Sequence, residues 1–152
     1  MSNMQRRLTI KNRNDIRVDI GCGRNYGSDV IGMDSQDFGQ DIVWDAREGL
    51  PFEDSSVFFI RMVHFLEHLG YADLPDFFYE LRRVCKNGAI ISIIVPHGNT
   101  VEGYSPGHLS FWTKQSFTGI VEGYNRGGTI WFRIEEMKRR GFELIARIRV
   151  VK

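Results

Sequence analysis

The run VDIGCGRNYGSDVIGMD, residues 18–34, holds two strand-like apolar segments with too little chain between them for a helix. Residues 16–20 read as a short buried strand stopped by Gly21-Cys22-Gly23, and residues 30–33 as a second strand that ends on Asp34. With the second strand beginning near Asp29, only Arg24 to Ser28 remain for the return crossing. A five-residue strand is about 17 Å long. Five extended residues cover roughly that distance, whereas five helical ones cover about 7.5 Å. The crossover is therefore extended, and it is shorter than the dozen or so residues of an ordinary parallel connection.

The rest of the chain continues the alternation of strands and crossovers. Residues 41–44 read as a third strand ending at Asp45, and residues 57–63 as a fourth after the turn-rich LPFEDSS. Residues 73–84 place Leu74, Phe77, Phe78, Leu81 and Val84 on one helical face, with Asp73 as N-cap and Asn87-Gly88 as stop. Residues 89–95, AIISIIV, are nearly all apolar, as in a central parallel strand covered on both faces. The tail reads as an antiparallel hairpin of residues 129–137 and 142–151 turned at 138–141. A helix over 130–140 is the alternative. The pattern is an α/β, Rossmann-like, mostly parallel sheet. At 152 residues it is a single domain, with residues 1–14 as an N-terminal extension.

Composition narrows the function classes. A net charge of +1 gives no basis for nucleic acid or membrane as the main partner, and the basic clusters at 5–7 and 138–140 read as solvated surface. Cys22 and Cys85 lack metal-site spacing and make no disulfide framework, and no window approaches a membrane span. A cytoplasmic setting is the expectation.

In open α/β sheets, ligands sit beyond the carboxyl ends of the strands. The residues there are Gly21-Cys22-Gly23, Asp34-Ser35, Asp45-Ala46, His64-Phe65-Leu66 and Pro96-His97. Glycines let backbone approach a ligand closely, and a carboxylate ending the second strand can accept from two ribose hydroxyls. A second carboxylate after the third strand can accept from the amino group of adenine. Asp34 stands only 13 positions after Gly21, whereas dinucleotide folds place the acid about 20 on. With no helix after the turn, no helix amino end cradles a pyrophosphate. NAD and FAD lose their main anchor. An adenosine cofactor without phosphate does not.

VDIGCG, IGMD, DAREGLPFEDSS, VHFLEHL, LRRVCKNGAIISIIVPH and PGHLSFWTKQSF follow in order the landmarks of the class I S-adenosylmethionine-dependent methyltransferases of the type 11 kind, in a branch with a shortened first crossover. The chain resembles that family over residues 18–117. The resemblance implies S-adenosyl-L-methionine as cofactor, with Asp19, Gly21 and Gly23 along its methionine part. It implies Asp34, followed by Ser35, at the ribose, Asp45 and Ala46 at the adenine, and His64, Phe65 and Leu66 closing the pocket. Cys22 would pack beneath the cofactor. Asn25 stands where the family often has a further glycine.

Methyl transfer needs a general base only for a hydroxyl or a protonated amine acceptor. His97 and His108 are the candidates. Glu67-His68 resembles the family's Glu-His signature and reads as structural, with no metal expected. Residues 98–128 are the candidate acceptor lid, with Tyr104, Trp112 and Tyr124 as contacts. The extended crossover strips helical cover from one sheet face, so a second subunit (a homo-oligomer) or residues 98–112 are expected to cover exposed apolar surface there. The expected activity is methyl transfer to a small-molecule or glycan-type acceptor. The alternative is a non-catalytic module, a partner subunit or sensor, which the short loop and Asn25 favour and the retained Asp34 and Asp45 oppose.

Overall fold

The computed structural model describes residues 15–124 and 129–152. The 1–14 extension with its basic cluster, and residues 125–128 of the expected lid, lie outside the described residues. Among the described residues seven strands form one sheet: β1 (Ile16–Ile20), β2 (Ile31–Asp34), β3 (Ile42–Val43), β4 (Val57–Val63), β5 (Cys85–Pro96), β6 (Phe132–Arg140) and β7 (Glu143–Val150). Their spatial order is β3-β2-β1-β4-β5-β7-β6. β1 to β5 run parallel, and β7 is antiparallel to both β5 and β6. The tail is thus the hairpin, turned at Gly141 (φ 59°), and not the helix.

Among the described residues no helix separates β1 from β2, as the spacing requires. Tyr26 occupies part of the space a crossover helix would fill. A Cβ on Gly32 of β2 would stand 2.8 Å from three atoms of its ring. Glycine at that position is what lets the ring lie flat on the strand.

The helices α1 (Leu74–Val84) and α2 (Lys114–Gly123) pack on the same side of the sheet. From α1, Phe78 meets Phe132 of β6 at 5.7 Å and stacks on Tyr124, just past α2, at 4.9 Å. The register sets a buried row beneath them: Ile31, Val18, Ile60, Ile91 and Ile148. All five apolar residues that the periodicity put on the inner face of α1 are buried.

The neighbouring row, on the opposite face, runs Gly32, Asp19, Arg61, Ser92, Arg147. Among the described residues no helix covers that face. The expected exposed apolar surface is instead crossed by a polar row, in which Arg61 Nη1 reaches Asp19 Oδ2 at 3.3 Å. Beside it Arg17 lies over the Phe59 ring at 4.8 Å. β5 is correspondingly buried on one face only, with Ile90, Ser92 and Ile94 half-buried, so covering on both faces does not hold. Trp112, at the end of the 98–112 segment, is fully buried and packs on Phe117 of α2 at 5.6 Å.

Two local expectations are corrected. Helix α1 passes straight into β5 at Cys85, so Asn87-Gly88 is not its stop. Gly88 (φ 81°) lies inside β5 where pairing jumps from Val57–Cys85 to Phe59–Ile90, a bulge. Asp73 occupies the N-cap position of α1 but its side chain makes no cap hydrogen bond.

The loop before β4 is tied to α1 by Arg83. Its guanidinium donates to the carbonyls of Leu50 (2.9 Å) and Phe52 (3.0 Å), to Asp54 (2.7 Å) and to Glu80 (2.7 and 2.8 Å). Glu80 in turn accepts from the Leu50 amide at 2.8 Å. Arg83→Met leaves two carbonyls and Glu80 without this donor, and is expected to cost about 2–4 kcal/mol in urea denaturation. Hydrogen bonding from Arg83, its largest cause, holds the Glu80 carboxyl below its ordinary value. Its stabilisation is therefore present above the unfolded carboxyl pKa of about 4.3 and is lost as pH falls through the lower folded value.

Candidate functional site

At the carboxyl ends of β1, β2 and β4 lies a cleft of about 440 Å³. Its floor is the turn after β1. Gly21 (φ 69°) donates to the Met33 carbonyl at 2.8 Å, and Cys22 donates to the same oxygen at 3.1 Å. The Phe65 ring lies directly against this turn, since a Cβ on Gly21 would meet Phe65 Cδ2 at 2.5 Å. A side chain here would push Phe65 off the cleft.

Asp34 ends β2 on the cleft wall, beside Ser35. Its Oδ2 accepts from the Gly23 amide at 2.9 Å and its Oδ1 from the Gln36 amide at 3.0 Å. These bonds fix the carboxylate and leave further lone pairs for a ligand. Asp45 caps the short turn Ala46–Glu48 by accepting from the Arg47 amide, and pairs with the Arg47 guanidinium (2.7 Å at the shortest). Hydrogen bonding from Arg47, the largest cause, holds its carboxyl below the ordinary value. Ala46 and Arg47 complete that wall.

Of the sequence-named cofactor positions, Gly21, Asp34, Ser35, Asp45, Ala46, His64 and Phe65 line the cleft, and Asp19, Cys22, Gly23 and Leu66 do not. Asp19 is buried on the far face of β1 with Arg61. Burial raises its carboxyl, and the Arg61 charge opposes the rise. Gly23 acts through its bond to Asp34, and Leu66 is wholly buried. Burial, with the nearby Asp19 and Asp34 charges, pushes the Cys22 thiol up to about 12 and disfavours its thiolate.

His64 takes a left-handed backbone (φ 52°), unusual for a side chain of its size. Its Nε2 lies 2.9 Å from Glu143 Oε1 on β7, which fixes the ring at the cleft edge. Hydrogen bonding from Arg140 first, and from His64 after it, holds Glu143 below the ordinary carboxyl value despite burial.

The two candidate bases stand off the cleft. His97 is buried where residues 97 and 112 bridge, and its Nδ1 accepts from the Asn99 amide at 3.2 Å. Burial above all, then the Arg139 and Lys114 charges, lowers its pKa. His108 stands behind His68, edge-on at 5.0 Å between ring centroids, and it is His68 that lines the cleft.

The expected lid is also redrawn. Trp112 is core and Tyr124 packs on Phe78, which leaves Tyr104, exposed and 5.3 Å from the Phe111 ring. Part of the segment is helix α2, opened by a reciprocal capping box between Thr113 and Ser116. That spacing was readable in the sequence.

Sequence reading missed Phe38, Trp44, Arg47 and His68 on the cleft wall. Two are aromatic. Arg24 from the short crossover lies over Phe38 at 5.1 Å, and the Trp44 indole N–H donates to the Gly49 carbonyl at 2.9 Å. They follow β2 and β3, and aromatic residues just past strand ends were the available signal.

A seven-stranded sheet of this order, with a glycine turn and two acids on a cleft at the carboxyl ends of its strands, defines an α/β domain of the open-sheet class. A family model described as a methyltransferase domain matches residues 18–93, half of the chain. The chain belongs to this methyltransferase family, the class I S-adenosylmethionine-dependent group that its sequence resembles. No curated protein matches it significantly. It is similar in structure to a SAM-dependent methyltransferase from Aquifex aeolicus (TM-score 0.68, 18% identity, 95% of this chain and 88% of that one). Another from Archaeoglobus fulgidus gives TM-score 0.67 and 19% identity over 97% and 92%. A putative type 11 methyltransferase from Sulfolobus solfataricus gives TM-score 0.64 and 13% identity over 95% and 89%.

Proposed function

We propose that the protein binds S-adenosylmethionine in this cleft and transfers its methyl group to a small-molecule or glycan-type acceptor. The observation that carries the reading is the placement of Asp34 and Asp45 on one cleft, with no helix among the described residues opening from the glycine turn after β1. Asp34 accepts from the two ribose hydroxyls. Phe38 and Trp44 offer faces on which adenine stacks, worth about 1–3 kcal/mol per base. Asp45, neutralised by Arg47, orients that wall and still accepts from the exocyclic amine. The methionine part then runs along Gly21 toward Phe65 and His64.

Transfer is an in-line displacement: the bond from sulfur to the methyl carbon breaks as the acceptor's bond to that carbon forms, leaving a neutral thioether. Alignment supplies much of the acceleration. Where the acceptor is a hydroxyl its proton must leave as the bond to the methyl carbon forms.

The second reading, a cofactor-binding sensor without turnover, draws on the Asp45–Arg47 pair and the missing crossover helix. S-adenosylmethionine labelled in the methyl group separates the two. Label entering a small-molecule or glycan fraction supports the enzyme. Tight cofactor binding with no transfer to any fraction supports the sensor. Label entering only protein or RNA overturns the proposed acceptor class.

A further inference from the structure

The turn Leu66–His68 and the loop before Trp112 are latched through backbone. The Leu109 and Ser110 amides donate to the Glu67 carbonyl at 2.8 and 3.2 Å, and Ser110 Oγ donates to the Leu66 carbonyl at 3.1 Å. The latch brings His108 beside Glu67 and His68, and the nearest ligand atoms of the three side chains lie within 4.8 Å of one another. Three features of this cluster are unusual together.

Glu67 is 2% exposed, and neither carboxylate oxygen has a hydrogen-bond partner among the described residues. His64 Nδ1 approaches Oε1 at 3.4 Å, without hydrogen-bond alignment. An unpartnered buried carboxylate is costly, and native structures rarely tolerate one without an ion or water to satisfy it. Protonation alone would leave its hydroxyl with no aligned acceptor, His64 Nδ1 lying 3.4 Å from Oε1. The second feature is the rings. His68 Nδ1 faces the Gly107 carbonyl and His108 Nδ1 the Gly103 carbonyl, each at 3.3 Å. A carbonyl only accepts, so each Nδ1 carries the proton and each Nε2 keeps its lone pair. This is the outer-shell arrangement that orients metal-ligating histidines. Third, the set of two imidazoles and one carboxylate is the one that borderline divalent metals prefer.

We infer that Glu67, His68 and His108 bind one divalent transition-metal ion of the zinc or cobalt class, at the wall of the cofactor cleft. A tetrahedral ion with bonds of about 2.1 Å holds its ligands about 3.4 Å apart, so the three side chains close on one another as the ion binds. Because His68 also lines the cleft, the ion's remaining coordination sites are available to an acceptor oxygen. That last role rests on the methyl-transfer reading; metal binding itself does not.

The test uses untagged full-length protein stripped with chelator and titrated with Co²⁺ (visible absorption) and Zn²⁺ (calorimetry). One equivalent is expected to bind, with the Co²⁺ bands of a low-coordinate nitrogen and oxygen site. His68→Ala and His108→Ala each weaken binding by more than the ten- to hundredfold that loss of an outer-shell partner costs. Glu67→Gln loses the metal too, yet melts in chelator no lower than the parent, because it removes an uncompensated buried charge. No saturable binding by the parent at millimolar Co²⁺ overturns the site, as does one-equivalent binding that survives His108→Ala. S-adenosylmethionine titrated in parallel keeps the two readings apart. A chain that binds the cofactor and no metal loses this site alone, and one that binds metal and no cofactor loses only the acceptor role.

Discussion

Asp34→Ala is expected to weaken S-adenosylmethionine binding by at least a hundredfold, measured by calorimetric titration. Each charge-assisted hydrogen bond to a ribose hydroxyl contributes about 1.5–3 kcal/mol, and tenfold in affinity is about 1.4 kcal/mol. The substitution also releases the Gly23 and Gln36 amides that the carboxylate holds at 2.9 and 3.0 Å, so the turn that floors the cleft loosens as well. Asp34→Asn keeps an oxygen for one of those amides and gives up the charge, and should fall between the two, roughly tenfold weaker than the parent. A parent-like affinity in Asp34→Ala would remove the ribose assignment.

The second large effect is at Gly21. An alanine there must hold φ near 69° and place its Cβ 2.5 Å from Phe65 Cδ2 and 2.9 Å from two further ring and side-chain atoms. Left-handed backbone costs roughly 1–2 kcal/mol and overpacking typically about 1–3 more. Gly21→Ala should therefore lower the melting temperature clearly and weaken the cofactor together, because Phe65 is the cleft wall that must move. Gly23→Ala is the control: it has a similar φ of 58° but nothing within 4 Å of an added Cβ. Its cost is expected to be the backbone strain alone, about 1–2 kcal/mol. Equal thermal losses in the two variants would mean that the Phe65 contact contributes nothing.

Much of the sheet is legible in the chain because strand-end chemistry and short connections leave few solutions. Val57 to Val63 and the buried face of α1 are readable from apolar spacing alone. The missing crossover helix follows from chain length, which no packing can override. What the sequence hides has physical reasons too. Ile90 and Ile94 are as apolar as Ile91 and Ile93, so composition does not reveal that one face of β5 is only half-buried. The polar row that makes such a face tolerable is spread over five strands. Helix α2 is masked by Gly119 and Gly123, and its capping box was the cue. The approach of His108 to Glu67 and His68 depends on a backbone latch across some 40 positions, which no local pattern encodes. His97 stands off the cleft because the chain after β5 continues into a buried bridge with Trp112.

The central claim is that this cleft holds an adenosine that brings no phosphate. Parallel equilibrium titration of the full-length protein with S-adenosylmethionine and with NAD⁺ tests it most directly. One saturable S-adenosylmethionine site in the micromolar range is expected, with no saturation by NAD⁺ at millimolar concentration. Saturable NAD⁺ binding of equal strength, or an S-adenosylmethionine isotherm that stays flat, would contradict it.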